Sequence, residues 1–531
     1  MQADLVIRNA RIVDGAGTPW FRGDVAITGG RITAMGRIAP DMPAKRVIDA
    51  KERYLMPGFV DPHTHSDFVL LNDPDAGGKL VQGVTTQAIG QCGYSGAPVT
   101  DNSYATYSEY TGFLRGGVDP DWTWRSFGQW LDRLDSLPLG TNITSFVGHA
   151  TVWTSVMGFT YRPPTSPELA KMVALVKASM DGGACGMTSG LVYPPGMNCP
   201  PEEVSAVAAG LREKRGLYES HMRNESWNLV ASVAETIDVG RQNNIPVQIS
   251  HFKACGVKNH GLLTKALDVI DAARAEGVDV TFNQYPYTAA STTLRAILPA
   301  WAQEGGVASV CTRLGDRETR KKITNDILAK EFDWENYYQN SNGAEGVILL
   351  YFPKMPEVEG KNLAEAAKLM GIDDPLEAAY DLIVANRGED TVAYVMMSEA
   401  DVICGLRHPA GMVGSDSIPT PAGAKAHPRL SGTCPRMLAH CVKQEHILTL
   451  EEAVRRMSSV PARRLGIMDR GIIAPNMAAD LVLVDLEHIV DNATFVNPQG
   501  RPQGIYMVIV NGVVAVENGK VLSAGAGRVL R

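Results

Sequence analysis

The chain changes its hydrophobic texture twice along its length. The first 55 or so residues carry short Val/Ile-rich runs, "ADLVIRNARIVDGAG" and "GDVAITGGRITAMGRI", broken by Gly and Asn, a pattern that predicts strands joined by tight turns. The last stretch repeats it in "ADLVLVDLEHIV" and "IYMVIVNGVVAVENGKVL". The middle is different. Strand-like runs such as "TTQAIGQCG", "NITSFVGHA", "CGMTSGLVY", "GLYESHMRN", "IPVQISHFK" and "VDVTFNQYPY" alternate with amphipathic stretches such as "SPELAKMVALVKASMDGG", "PPEEVSAVAAGLREKRG" and "HGLLTKALDVIDAARAEG". The first of these helices is predicted to open with Ser166 as N-cap, followed by Pro167 and Glu168. Strand–helix alternation at roughly 30-residue spacing implies parallel βα units, eight of which close a barrel. The expected architecture is therefore a (β/α)8 TIM-like barrel over 57–466, with a small β-sheet domain built from both termini, 1–56 and 467–531. The stretch at about 296–390 is longer than one βα unit needs and is expected to be a subdomain inserted between the seventh and eighth strands.

Composition narrows the class. Of 531 residues, 45% are hydrophobic and 20% charged, as in an ordinary globular enzyme. A formal charge of −8 and a pI of about 5.8 lack the basic footprint of a nucleic-acid binder. No apolar run approaches the length of a membrane span. The opening "MQADLVIRNARIVDG" lacks the basic and apolar regions of a secretory signal, so a cytoplasmic enzyme acting on a small molecule is expected, in an oligomeric state the sequence leaves open. Eight cysteines without a CxxC pair read as reduced thiols, free to be buried or to bind metal.

A barrel presents its functional groups where its strands end. The polar residues at those points are His63 and His65 after the first strand, Cys92 after the second, His149 after the third, His221 after the fifth, His251 after the sixth and Asp416 after the eighth. Each alone has a bland reading: a cysteine is commonly inert core, a histidine commonly a hydrogen-bonded structural residue, and Asp416 in "VGSDSIP" a turn former. Their joint placement argues for a metal. Imidazole and thiolate suit zinc, and a catalytic zinc keeps a position for water and lowers its pKa to about 7. Asp416 would accept the water's proton and pass it to a leaving nitrogen. Hydrolysis of a carbonyl compound is the reaction class these residues suggest.

The stretches "PGFVDPHTHSDF", "GQCGYSGAPV", "VGHATVWTSVMG", "TSGLVYPPG", "SHMRNES", "QISHFK", "QYPYTAASTTL", "VGSDSIP" and "HPRLSGTCPRML" resemble, in order, the motif series of the N-acyl-D-amino-acid deacylase (D-aminoacylase) family of the amidohydrolase superfamily. The resemblance runs nearly the whole chain and implies a distorted (β/α)8 TIM-like barrel, a small β-sandwich domain from both termini and a subdomain inserted late in the barrel. It implies cleavage of an N-acyl-D-amino acid to a carboxylate and a free D-amino acid. It implies one tightly held Zn2+ on Cys92, His221 and His251, and a weaker second position near His63, His65 and Asp416. It implies that Lys253, Tyr193, Ser291 and Arg295 hold the substrate carboxylate, with Tyr285 or Tyr287 within reach and His149 lining or underlying the cavity.

Two departures from that family stand out. Ser417 in "GSDS" replaces a usual glycine, and "SGTC", Ser431 to Cys434, stands where an aromatic pair is usual. They suggest that the same metal site acts on another amide or ester, such as a cyclic amide, a lactone or a dipeptide-like compound. A non-catalytic relative is a further alternative, disfavoured because every expected ligand is present.

Overall fold

The computed structural model describes residues 2–74, 77–160, 162–522 and 525–531. Parallel strands form the central unit: β1 Phe59–Asp61, β2 Val84–Ile89, β3 in two segments Asn142–Ser145 and Val147–Gly148, β4 Gly186–Gly190, β5 Leu217–His221, β6 Val247–Ile249, β7 Val280–Gln284 and β8 Gly411–Val413. Each pairs in parallel with the next, from Val60↔Thr86 to Asn283↔Met412. The ladder is interrupted once, at Phe146, where the first segment of β3 faces β2 and the second faces β4. Closure comes just past the strand ends. Thr64 bridges Ser417 in parallel, His65 N–H donates to Ser417 O at 3.0 Å, and Asp416 N–H donates to His63 O at 2.8 Å. The result is a distorted (β/α)8 barrel.

Helices clothe it. Ser166–Asp181, Pro201–Ala208, Leu229–Asn243 and Leu262–Ala275 follow β3 to β6. In Leu229–Asn243 the buried Leu229, Val233, Thr236, Ile237 and Gly240 recur at three- and four-residue intervals, the stripe that a helix lays on a sheet. Thr165, not Ser166, caps the helix after β3: the Glu168 carboxylate accepts from Thr165 N–H at 2.8 Å and from its hydroxyl at 2.8 Å. Glu168 is three residues past Thr165, the spacing a reciprocal cap requires, so the helix starts one residue earlier than the Ser-Pro dipeptide suggests.

The termini meet in one nine-stranded sheet, in which Tyr54–Pro57 runs antiparallel to Leu481–Val484. Alternation along Ala3–Ile12 buries both faces: Leu5 and Ile7 pack with Leu481 and Leu483, whereas Ala3 and Val6 pack with Ala26 and Ile38. Between β7 and β8 the chain builds an antiparallel sheet, with Thr391–Val395 between Ala289–Thr292 and Val347–Tyr351, packed with helices that include Gly306–Leu314, Arg317–Leu328 and Pro375–Asn386. Ala289–Thr292 and the central Thr391–Val395 lie just outside 296–390 on either side, and Val347–Tyr351 lies within it. No helix of the described residues is long and apolar enough to cross a membrane.

Candidate metal centre and active-site cavity

Three turns aim the central donors. Cys92, His251 and Asp416 follow β2, β6 and β8 with φ of +52°, +33° and +50°, left-handed backbone that costs a non-glycine residue about 1–3 kcal/mol. The neighbour Gly90, at φ +81°, is obligatory, since a Cβ there would lie 2.1 Å from Phe146 O. Strain held by a closed barrel, at the ends of three strands, is how a folded chain fixes side-chain directions that an unconstrained loop would not keep.

The donors converge. Cys92 Sγ lies 3.4 Å from Nε2 of both His63 and His251. Asp416 Oδ1 lies 3.5 Å from His63 Nε2 and 3.4 Å from His65 Nε2. Two sets share the sulfur: His63, His65, Cys92 and Asp416, and Cys92, His221 and His251, the donor atoms of each lying within 4.8 Å of one another. All six residues are buried.

Behind them stands a layer of carboxylates. His63 Nδ1 is 2.7 Å from Glu219 Oε1, and His251 Nδ1 is 3.1 Å from Glu225 Oε1. At His63 the carboxylate favours the tautomer that leaves the Nε2 lone pair facing Cys92, the arrangement metal-binding histidines use, whereas His251 Nδ1 also lies 2.6 Å from the Lys253 ammonium, a donor. Glu219 also accepts from Gln248, Ser250 and Asn283 at 2.8, 3.0 and 2.8 Å. Buried Nδ1 atoms of His65 and His221 have no hydrogen-bond partner. Thiol, imidazoles and carboxylate around one point, with orphaned ring nitrogens among them, fit a divalent, borderline-soft cation.

Electrostatics agree. Burial lowers the His221 and His251 imidazoles well below their ordinary value, which keeps them neutral. Burial would raise the Asp416 carboxyl, but Arg429, aided by His251, His65 and His63, overrides it and holds the group well below the usual carboxylate range. An Arg429 guanidinium nitrogen lies 2.7 Å from Asp416 Oδ2, and another donates to Ser291 O at 3.1 Å. Burial and then the nearby Asp416 carboxylate push the Cys92 thiol up, so a cation is the natural complement to its thiolate.

The cavity above this cluster is lined by His65, Cys92, Tyr94, Phe113, Tyr193, His221, Glu225, His251, Lys253, Ala290, Ser291, Thr292, Tyr337, Asp416 and Ile418. Lys253, Tyr193 and Ser291 thus share it with the donors, and His63 lies immediately beneath. Four expected substrate-side residues do not line it. Arg295 is buried with its guanidinium 4.9 Å from the Tyr110 ring centroid and donates to Tyr110 O at 3.2 Å. Tyr287 packs edge-on against His427 with Arg436 over its ring. His149 begins the helix His149–Met157 near Trp153, and burial lowers its pKa to about 4. Tyr285 lies under Arg429, whose Cζ is 4.7 Å from the ring centroid, and its buried hydroxyl has no partner.

The unusual serines and cysteine also point elsewhere. Ser417 Oγ accepts from the buried Lys79 at 2.7 Å and contacts Thr64 Oγ1 at 3.0 Å. Lys79 further binds Asp61 at 2.6 Å and Ser415 at 2.7 Å. Ser431 lines a separate cavity with Lys79, and Cys434 is buried among the apolar side chains behind β1 and β2. Ser417 on the loop after β8 and Ser431 on the helix Arg429–Arg436 turn towards Lys79, away from the donors.

Comparison with known proteins places this geometry. The model of the amidohydrolase family matches residues 46–516. An N-acyl-D-aspartate deacylase of Alcaligenes xylosoxydans xylosoxydans is 34% identical over 513 residues, 96% of this chain and 91% of the relative. A D-aminoacylase of the same organism is 33% identical over 527 residues, 99% of this chain and 97% of the relative. Among solved structures, N-acyl-D-glutamate deacylase from Bordetella bronchiseptica, complexed with zinc and a phosphonate that mimics the tetrahedral intermediate, superposes with a TM-score of 0.84 at 30% identity, covering 100% of both chains.

Proposed function

The chain belongs to the amidohydrolase family, and from that premise we propose that it is a zinc-dependent deacylase that hydrolyses N-acyl-D-amino acids to a carboxylate and a free D-amino acid. The observation that carries this reading is one cavity holding Cys92 Sγ 3.4 Å from two imidazole nitrogens, an Arg429-paired Asp416 and the ammonium of Lys253. Cys92, His221 and His251 would hold the tighter cation, and His63, His65 and Asp416 a weaker second one. Bound there, zinc supplies Lewis-acid polarisation of the amide carbonyl and acidifies a water.

The chain's own residues do the rest. Asp416, kept ionised by Arg429, accepts a proton at Oδ1 from the attacking water and returns it to the leaving amide nitrogen. Lys253 Nζ, 2.6 Å from Glu225 Oε2, and Ser291 provide donors for the substrate carboxylate, with the Tyr193 ring lining the same cavity. Arg429, rather than Arg295, is the guanidinium nearest the reacting groups. Anchoring the substrate at its carboxylate and its amide leaves one hand at the α-carbon that directs the side chain into the cavity. Neither Ser417, Ser431 nor Cys434 lines that cavity, which removes the support for a cyclic amide or lactone substrate.

The test pairs chemistry with metal content. Asp416→Asn should retain the metal and lose at least about a hundred-fold in kcat on N-acetyl-D-amino acids. Near-wild-type turnover would remove Asp416 from the mechanism. A panel of N-acetyl-D- and L-amino acids, a hydantoin and a lactone tests the substrate, and activity confined to the last two would overturn the deacylase reading.

A further inference from the structure

The relatives' names span an aspartate deacylase, a glutamate deacylase and a D-aminoacylase at 30–34% identity, so ancestry does not select the substrate side chain. The cavity does.

Its charges are already matched in pairs. Lys253 is 2.6 Å from Glu225, and Arg429 is 2.7 Å from Asp416. Among the described residues lining the cavity, Lys253 is the one Lys or Arg. The other nearby guanidiniums do not line it: Arg295 lies over the Tyr110 ring and donates to Tyr110 O at 3.2 Å, and Arg115 pairs with Glu389 at 3.2 Å and Asp119 at 3.4 Å. An α-carboxylate can share Lys253, whereas a second, side-chain carboxylate would meet no further cation in a buried site.

Beside the polar Ser291, Thr292 and Tyr337, what the cavity offers is largely apolar. Phe113, Tyr94, Tyr193 and His221 meet edge-on or tilted in a continuous aromatic wall, with ring centroids 6.1, 6.0 and 5.0 Å apart in succession. Both tyrosine hydroxyls are already engaged, Tyr94 donating to Tyr110 at 3.4 Å and Tyr193 to the lining residue Thr292 at 3.0 Å. Ala290 and Ile418 extend this apolar lining.

Resting on the deacylase reading above, we infer that the substrate class is N-acyl-D-amino acids with uncharged, apolar side chains, and that Phe113, Tyr94 and Ile418 set this choice. Leaving a carboxylate without a partner in such a site is expected to lower kcat/KM at least about a hundred-fold.

The experiment measures kcat/KM of the metal-loaded enzyme on N-acetyl-D-leucine and N-acetyl-D-phenylalanine against N-acetyl-D-aspartate and N-acetyl-D-glutamate. The apolar pair should lead by at least about a hundred-fold. Equal or greater efficiency on the acidic pair would overturn this inference alone, and failure to turn over any of the four would overturn the deacylase reading with it. A second arm uses Ile418→Lys. In a folded, metal-loaded variant the acidic-to-apolar ratio should rise at least about tenfold, whereas an unchanged ratio would mean that residue 418 does not meet the substrate side chain.

Discussion

Glu219 offers the sharpest view of how the barrel interior controls the site. It lies on β5, two residues before His221, fully buried, and has hydrogen-bonding neighbours on both oxygens. As a carboxylate it only accepts, so His63 Nδ1, Ser250 and Asn283 must all donate to Oε1, and Gln248 to Oε2. That demand protonates His63 at Nδ1 and frees Nε2 towards Cys92 and Asp416. Glu219→Gln keeps shape and volume but replaces one oxygen by an NH2. The cheapest orientation keeps the amide oxygen at Oε1 and sets NH2 against Gln248, which turns its own amide, and the Thr281 hydroxyl that donated to it at 3.2 Å then accepts instead. Three charge-assisted bonds become neutral ones, a cost of about 2–4 kcal/mol in stability. Through the less firmly held His63 ring, metal affinity at the weaker, second position should fall about 10–100-fold. Competition with a metal-sensitive chelator, alongside denaturant unfolding of the metal-free protein, measures both. Metal affinity within twofold of wild type would refute the argument that Glu219 orients a ligand.

Three further expectations follow from buried charges. Burial, with help from Glu225, raises the Glu335 carboxyl to about 7, and its oxygens accept from Glu225 N–H at 2.7 Å and Asn340 at 2.6 Å. A raised acid stabilises the fold fully below its unfolded value near 4.5 and loses that contribution as pH climbs through about 7. Wild type should therefore lose up to about 3 kcal/mol between pH 4.5 and 8 from this group, and Glu335→Gln should flatten the profile; parallel profiles in urea unfolding would contradict it. Lys79→Met strands Asp61 and should cost about 3–5 kcal/mol, partly restored by adding Asp61→Leu, as thermal unfolding would show. A double variant no more stable than Lys79→Met alone would count against the pairing.

Much of this site was legible in the chain because the barrel converts order along the sequence into convergence in space. His63 and His65 flank Thr64, and the one parallel bridge from Thr64 to Ser417 extends strand-like alternation past β1, so both rings face Asp416. The buried charges were harder to read. Asp61, Lys79, Glu225 and Arg429 look like surface residues until their partners are known, and Lys79 and Ser417 are 338 positions apart. Glu219 did carry a signal, since "ESH" sets it on the same face as His221. Arg295 shows the converse. The family resemblance implied a substrate contact, but its side chain packs against the Tyr110 ring, a matter of packing that no local pattern encodes. The serines beside Asp416 were equally ambiguous, because one loop can turn alternate side chains towards the cavity or towards a buried lysine.

The account stands or falls on a cation bonded to the sulfur of Cys92. X-ray absorption at the metal edge of the purified, metal-loaded protein tests this most directly: it should show a sulfur scatterer at about 2.3 Å together with imidazole nitrogens, the sulfur vanishing in Cys92→Ala. A shell of nitrogen and oxygen alone in the wild-type protein, unchanged by that substitution, would contradict it.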